Sequence, residues 1–217
     1  PDGHRDSAAE VIANPVAVAG GEDASAFDLN LTRNWIGFFT VIALWISALW
    51  IYTAVPTTIA HVRGTTRSSA AVTLRSLALP AAVAVAQGLI VTALVALTGN
   101  LSGGKLVGFA ALSVLVAVTF LFVQRALMAV GGRIGLVVSL AVAILAIATA
   151  LTSAMPALAR TAIAWLPIGP AADAFNGLEN GLSIGGSVVA LVVWALAGWA
   201  VTVLTIRRQR VAQLATT

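Results

Sequence analysis

Five runs of 18 to 22 residues carry no formal charge: Trp35 to Val55, Leu77 to Thr98, Leu106 to Val123, Ile134 to Ser153 and Ser187 to Ile206. An α-helix rises about 1.5 Å per residue, so each run is close to the roughly 30 Å of a bilayer's hydrocarbon core. The remaining sequence is too sparsely charged to keep such runs in water. Charged residues make up 9% of the 217, against about 25% in an ordinary soluble domain, while 59% are hydrophobic. These runs predict an all-α integral membrane protein with five transmembrane helices. The connections Gly99 to Lys105 and Gly131 to Arg133 are short enough to force antiparallel hairpins. Pro80 is expected in the first turn of the second span, where a missing amide donor costs little. Trp35, Phe38, Phe39, Trp50 and Tyr52, near the two ends of the first span, suit the interfacial belts of a membrane.

Three regions follow. Residues 1–33 hold six of the eight acidic residues and read as an extracytoplasmic linker from an upstream domain. Residues 34–206 form the five-span membrane domain, and 207–217 a cytoplasmic tail. The chain begins without Met and without a signal-peptide pattern, and is read as the C-terminal part of a longer protein or as a trimmed chain. Placing the N-terminal region outside puts eight basic residues on the inner side: Arg63, Arg67, Arg75, Arg125, Arg133, Arg207, Arg208 and Arg210. The other four basic residues and all eight acidic ones then fall outside. That asymmetry is the positive-inside pattern of a multi-pass protein of the plasma membrane. The net charge of +4 is therefore a topology signal, and nucleic acid is not an expected partner.

Residues 154–186 read as two short amphipathic helices, Pro156 to Trp165 and Pro170 to Asn180, in an outer re-entrant or interfacial segment. Each is expected to start on a proline, and Asn180-Gly181 is a good C-terminal stop. Asp173 is expected in the second helix's first turn, where the helix dipole favours a carboxylate.

Three motifs occur in order: Asn14-Pro15-Val16 before the linker and first span; Phe122-Val123-Gln124-Arg125-Ala126-Leu127 closely followed by Gly132-Arg133; and Leu166-Pro167-Ile168-Gly169-Pro170-Ala171-Ala172-Asp173-Ala174-Phe175 before the last span. Together they resemble the C-terminal membrane region of the YhgE/Pip (phage infection protein) family, related to the membrane subunits of bacterial type-2 ABC exporters. The resemblance implies one further span and a large extracytoplasmic domain upstream, giving a six-span ABC-2-type permease. Two positions depart from the family pattern, Pro170 where Tyr is frequent and Asn176 where Arg is frequent.

The resemblance also makes the inner loop from Thr57 to Ser76 a candidate ATPase-coupling element, with Arg63, Arg67 and Arg75 as the contact. The first two stand four residues apart, on one helical face. The competing reading is that these arginines fix topology and meet anionic lipid head groups. In the second span Pro80, Ala84, Gly88, Thr92 and Ala96 recur every fourth position beside Gln87. Such a stripe serves close helix packing, a dimer interface or a substrate route. Gln124, Arg125 and Arg133 are read as an inner-end anchor with Arg125 snorkelling to the interface. Pro167, Pro170 and Asp173 mark the outer re-entrant motif.

Catalytic and cofactor signatures are weak. Gly99 to Leu106 nearly spells a phosphate-binding loop, but Leu106 stands where a Mg²⁺-binding Ser or Thr belongs and no strand precedes it. The two histidines are far apart, and there is no cysteine. The expectation is no enzyme, no metal and no cofactor. Two functions remain open. One is a homodimeric exporter subunit moving apolar or amphipathic cargo outward with a separate ATPase. The other is a membrane anchor for an external domain, with envelope or secretion partners or a role in phage attachment.

Overall fold

The computed structural model describes residues 35–54, 69–97, 101, 103–151 and 156–214. Regular structure among them is entirely helical: α1 (Trp35–Ala54), α2 (Ser69–Leu97), α3 (Gly104–Gly131), α4 (Arg133–Leu151), α5 (Ala157–Trp165), α6 (Ile168–Asn180) and α7 (Gly185–Leu214). Four segments are long and apolar enough to cross a membrane: Ala78–Leu97, Gly104–Gly131, Arg133–Leu151 and Gly185–Arg208. In α1 the apolar stretch Ile36–Tyr52 is shorter. Leu89, Ile90, Leu140, Ile144, Val193 and Leu196 face outward from these helices. A surface of that kind is expensive in water and free of cost in lipid.

α3 is the axis of the bundle and packs on α1, α2, α4, α6 and α7. Its buried residues, among them Phe109, Leu112, Val116, Phe120 and Gln124, lie on more than one face. Lipid tails are as apolar as leucine, so helices in a bilayer gain little from hiding apolar surface and depend on close packing instead. Glycines on three neighbours supply that closeness. A Cβ on Gly88 of α2 would sit 2.9 Å from the Val114 amide nitrogen, and one on Gly198 of α7 would sit 2.7 Å from the Phe122 carbonyl oxygen. A Cβ on Gly135 of α4 would collide with the Leu127 carbonyl. The α3–α4 hairpin turns on Gly132, whose φ of 52° is left-handed and whose N–H donates to the Met128 carbonyl at 3.0 Å.

The long helices run between two ends. One, the basic end, holds the Gly132 turn and the start of α4 at Arg133. The other, the α6 end, holds the α5–α6 pair. α5 stops where Pro167 follows Leu166, and Gly169 lets the corner close, since a Cβ there would lie 2.6 Å from the Ala164 carbonyl. α6 ends in a Schellman turn: Leu182 N–H donates to the Gly177 carbonyl at 2.7 Å and Gly181, at φ 71°, adopts the left-handed conformation. The Asn180-Gly181 stop therefore stands.

Several boundaries differ from the sequence expectation, for identifiable reasons. α2 starts at Ser69, so Pro80 is inside the helix and not in its first turn. It forfeits one backbone hydrogen bond there, and the helix continues on both sides. α3 runs through Gln124 and Arg125 to Gly131, because Ala126, Leu127, Met128 and Ala129 are good helix residues in an apolar setting. α6 begins at Ile168, before Pro170, because the first four amides of a helix need no intrahelical partner and proline is tolerated among them. Asp173 consequently lies beyond the first turn.

Candidate functional site

Buried polar chemistry concentrates where α1, α3 and α4 meet, towards the basic end. Ser139, on the second turn of α4, is fully buried and receives two hydrogen bonds. Its backbone carbonyl accepts from Trp45 Nε1 of α1 at 3.1 Å, and its hydroxyl oxygen accepts from Gln124 Nε2 of α3 at 2.6 Å. The Trp45 ring meets Phe120 edge-on at 4.9 Å between centroids. Beside this node the Arg125 guanidinium stands 5.6 Å from the centre of the Tyr52 ring, close enough for a cation–π contact. Gln124 Oε1, Arg125 Nε and the Tyr52 hydroxyl have no hydrogen-bond partner among the described residues.

The geometry moves Arg125 away from the role expected of it. Only 5% of the residue is exposed, because α3 continues well past it and α1 covers it with Tyr52. Its guanidinium is held inside the bundle against an aromatic face. Arg133, at the start of α4, is the exposed cation of that group.

A second locus lies at the α6 end. Phe175 of α6 is fully buried, 4.8 Å from Phe109 of α3 between ring centroids, and its Cβ would be 2.9 Å from a Cβ on Gly37 of α1. The Gly37 hydrogen is what lets α6 wedge between α1 and α3. Lys105 Nζ donates to the Glu179 backbone carbonyl at 3.0 Å and pins the end of α6 to the start of α3. Burial pushes the Asp173 carboxyl above its ordinary range. Burial does the same to Glu179, with the Lys105 ammonium pulling the other way. Pro167 is buried at the α5–α6 corner and Pro170 is half-buried in the first turn of α6.

The remaining candidates are dispersed. Ala84, Gly88 and Thr92 are buried along α2 and Gln87 is half-buried beside them. Gly88 rests on the α3 backbone and the Thr92 hydroxyl donates to the Gly88 carbonyl at 2.8 Å, so this part of the stripe serves packing within the chain. Arg63 and Arg67 lie outside the described residues, as do Gly99, Asn100 and Ser102 of the phosphate-loop-like segment, and Arg75 falls in the second turn of α2. No group of three or more His, Asp or Glu among the described residues is placed to hold a metal ion.

Trp45, Tyr52 and Ser139 were not legible as partners of Gln124 and Arg125. A usable signal existed: Gln124 and Ser139 stand eight residues before and seven after Gly132, so a tight hairpin sets them opposite each other. Comparison with protein families, with curated proteins and with solved structures finds no match for this chain.

Proposed function

We propose that this chain is the five-span membrane domain of an exporter-like subunit in the plasma membrane. In this reading α1 is the first of the five spans and the α6 end faces outward. The basic end faces the cytoplasm, and a separate ATPase drives outward movement of apolar or amphipathic cargo between paired subunits. The observation that carries this reading is the α5–α6 pair. Two short amphipathic helices leave and rejoin the bundle at one end, between its last two long helices, and are wedged there by Phe175 against α1 and α3. That is the re-entrant arrangement which the resemblance to type-2 exporters implies. Among the described residues both carboxylates, Asp173 and Glu179, are on α6, so the spans hold no acidic group to couple transport to protons or cations.

A membrane anchor for an external domain is the second reading. The fully buried Trp45, Phe109, Phe120 and Phe175 support it, since they fill the centre of the bundle. Co-purification of the full-length protein separates the two. For an exporter subunit, an ATP-hydrolysing partner accompanies the wild type and is lost from the Arg63→Glu/Arg67→Glu variant. Recovery of envelope or secretion components alone, with no ATPase activity, overturns it in favour of the anchor.

A further inference from the structure

On the side of the bundle away from α1, the helices α3, α4 and α7 leave an open groove of about 340 Å³ towards the basic end. Apart from Trp194 it is lined only by Ala, Val, Leu, Ile and Gly, with Leu127, Val130, Ile134, Val138 and Val201 along its walls. It is wide enough for part of a small ligand but offers no hydrogen-bonding wall, so its occupant there is hydrocarbon. Gly131 and Ile134 form its end at the α3–α4 turn, and the exposed Arg133 stands between them in sequence. On α7 the lining residues Trp194, Ala197, Gly198 and Val201 follow one helical stripe. Arg208, exposed and seven residues beyond Val201, continues it. Arg207 is exposed next to it. Both described carboxylates are on α6 at the far end, so these cations have no acidic neighbour among the described residues.

We infer that this groove binds an anionic phospholipid, with one acyl chain against Trp194 and Val138 and the phosphate between Arg133 and Arg208. An apolar trough ending in arginines that have no acidic neighbour among the described residues is complementary to a molecule with a hydrocarbon tail and an anionic head. A second copy of the chain fits less well, because its own arginines would face these. The inference needs only that the chain sits in a bilayer, and it holds whether or not the protein exports anything.

The test is lipid retention by the full chain. The protein is equilibrated with mixed phosphatidylglycerol–phosphatidylcholine micelles and weighed intact with its bound lipid. The wild type retains phosphatidylglycerol over phosphatidylcholine by about thirtyfold, the preference expected of two surface arginines. Arg133→Gln/Arg208→Gln binds the two lipids equally. Ala197→Phe, which fills the groove from an exposed position, loses both, whereas Ile90→Phe on the outer face of α2 behaves as wild type. Equal retention of the two lipids by the wild type overturns the inference, and so does undiminished retention by Ala197→Phe. The chain has no cysteine, so Ala197→Cys supplies a single thiol. Efficient cross-linking between two such copies in membranes would assign the groove to a second copy and also overturn it.

Discussion

Gln124 on α3 and Ser139 on α4 are joined by a hydrogen bond of 2.6 Å in the interior of the bundle, and Ser139 is simultaneously held by Trp45 of α1. Three helices thus share one serine. Removing only its hydroxyl leaves the Gln124 amide buried without its acceptor. We expect Ser139→Ala to destabilise the protein by about 1 to 2 kcal/mol, near the upper range for hydrogen bonds between membrane helices. Gln124→Leu/Ser139→Ala should cost less than Ser139→Ala alone, because both polar partners are then gone. Unfolding in mixed detergent micelles measures both.

Arg125 and Tyr52 give a prediction that separates the ring from its hydroxyl. The ring faces the guanidinium at 5.6 Å, while the hydroxyl is buried without a partner among the described residues. Tyr52→Phe keeps the cation–π contact and should be neutral or stabilising. Tyr52→Leu loses it and should cost about 1 to 2 kcal/mol. Equal effects of the two substitutions, read in the same unfolding experiment, would show that the ring does not hold the charge.

The glycine contacts around α3 predict a graded series. Gly88→Ala and Gly198→Ala each place a methyl against main-chain atoms at 3.0 Å or less, where no flexible side chain can move aside. Each should cost about 1 to 3 kcal/mol through overpacking. Gly186→Ala, near the start of α7, meets nothing within 4 Å and should gain a few tenths of a kcal/mol or more from helix propensity. Thermal melts of the three variants in one detergent test the order.

Asp173 sets a pH dependence. Its carboxyl holds its proton more tightly when α6 is docked than when the chain is unfolded. The native state therefore binds more protons between the ordinary carboxylate range and the raised value, and stability falls as pH rises through that window. Asp173→Asn removes the penalty. The variant should melt higher than wild type at neutral pH, and the difference should shrink as the pH approaches about 4. A difference independent of pH would contradict desolvation as the cause.

Much of the fold was legible because the bilayer imposes it. Uncharged runs of membrane length, the glycine turn at Gly132 and the Asn180-Gly181 stop each reflect a local cost that any chain must meet. Helix ends were less legible. The second helix begins well before its uncharged run, and the third passes Gln124 and Arg125, because a helix does not end where its hydrophobicity does. The polar node was illegible for a different reason. Whether Arg125 reaches outward or sits under Tyr52 depends on how α1 docks against α3, and no spacing within one helix encodes that. The wedge at Phe175 was hidden for the same reason, since it needs the missing side chain of Gly37, far away in sequence.

Which end of the bundle faces which side is the question that most directly tests the membrane reading. A chain without cysteine permits single-thiol labelling in intact cells, at Leu182→Cys beside the exposed end of α6 and at Arg133→Cys on the exposed α3–α4 turn. A membrane-impermeant maleimide should label Leu182→Cys directly, and Arg133→Cys only after the cells are opened. The reverse pattern would contradict the proposed orientation. Equal labelling of both positions in soluble protein would contradict membrane insertion itself.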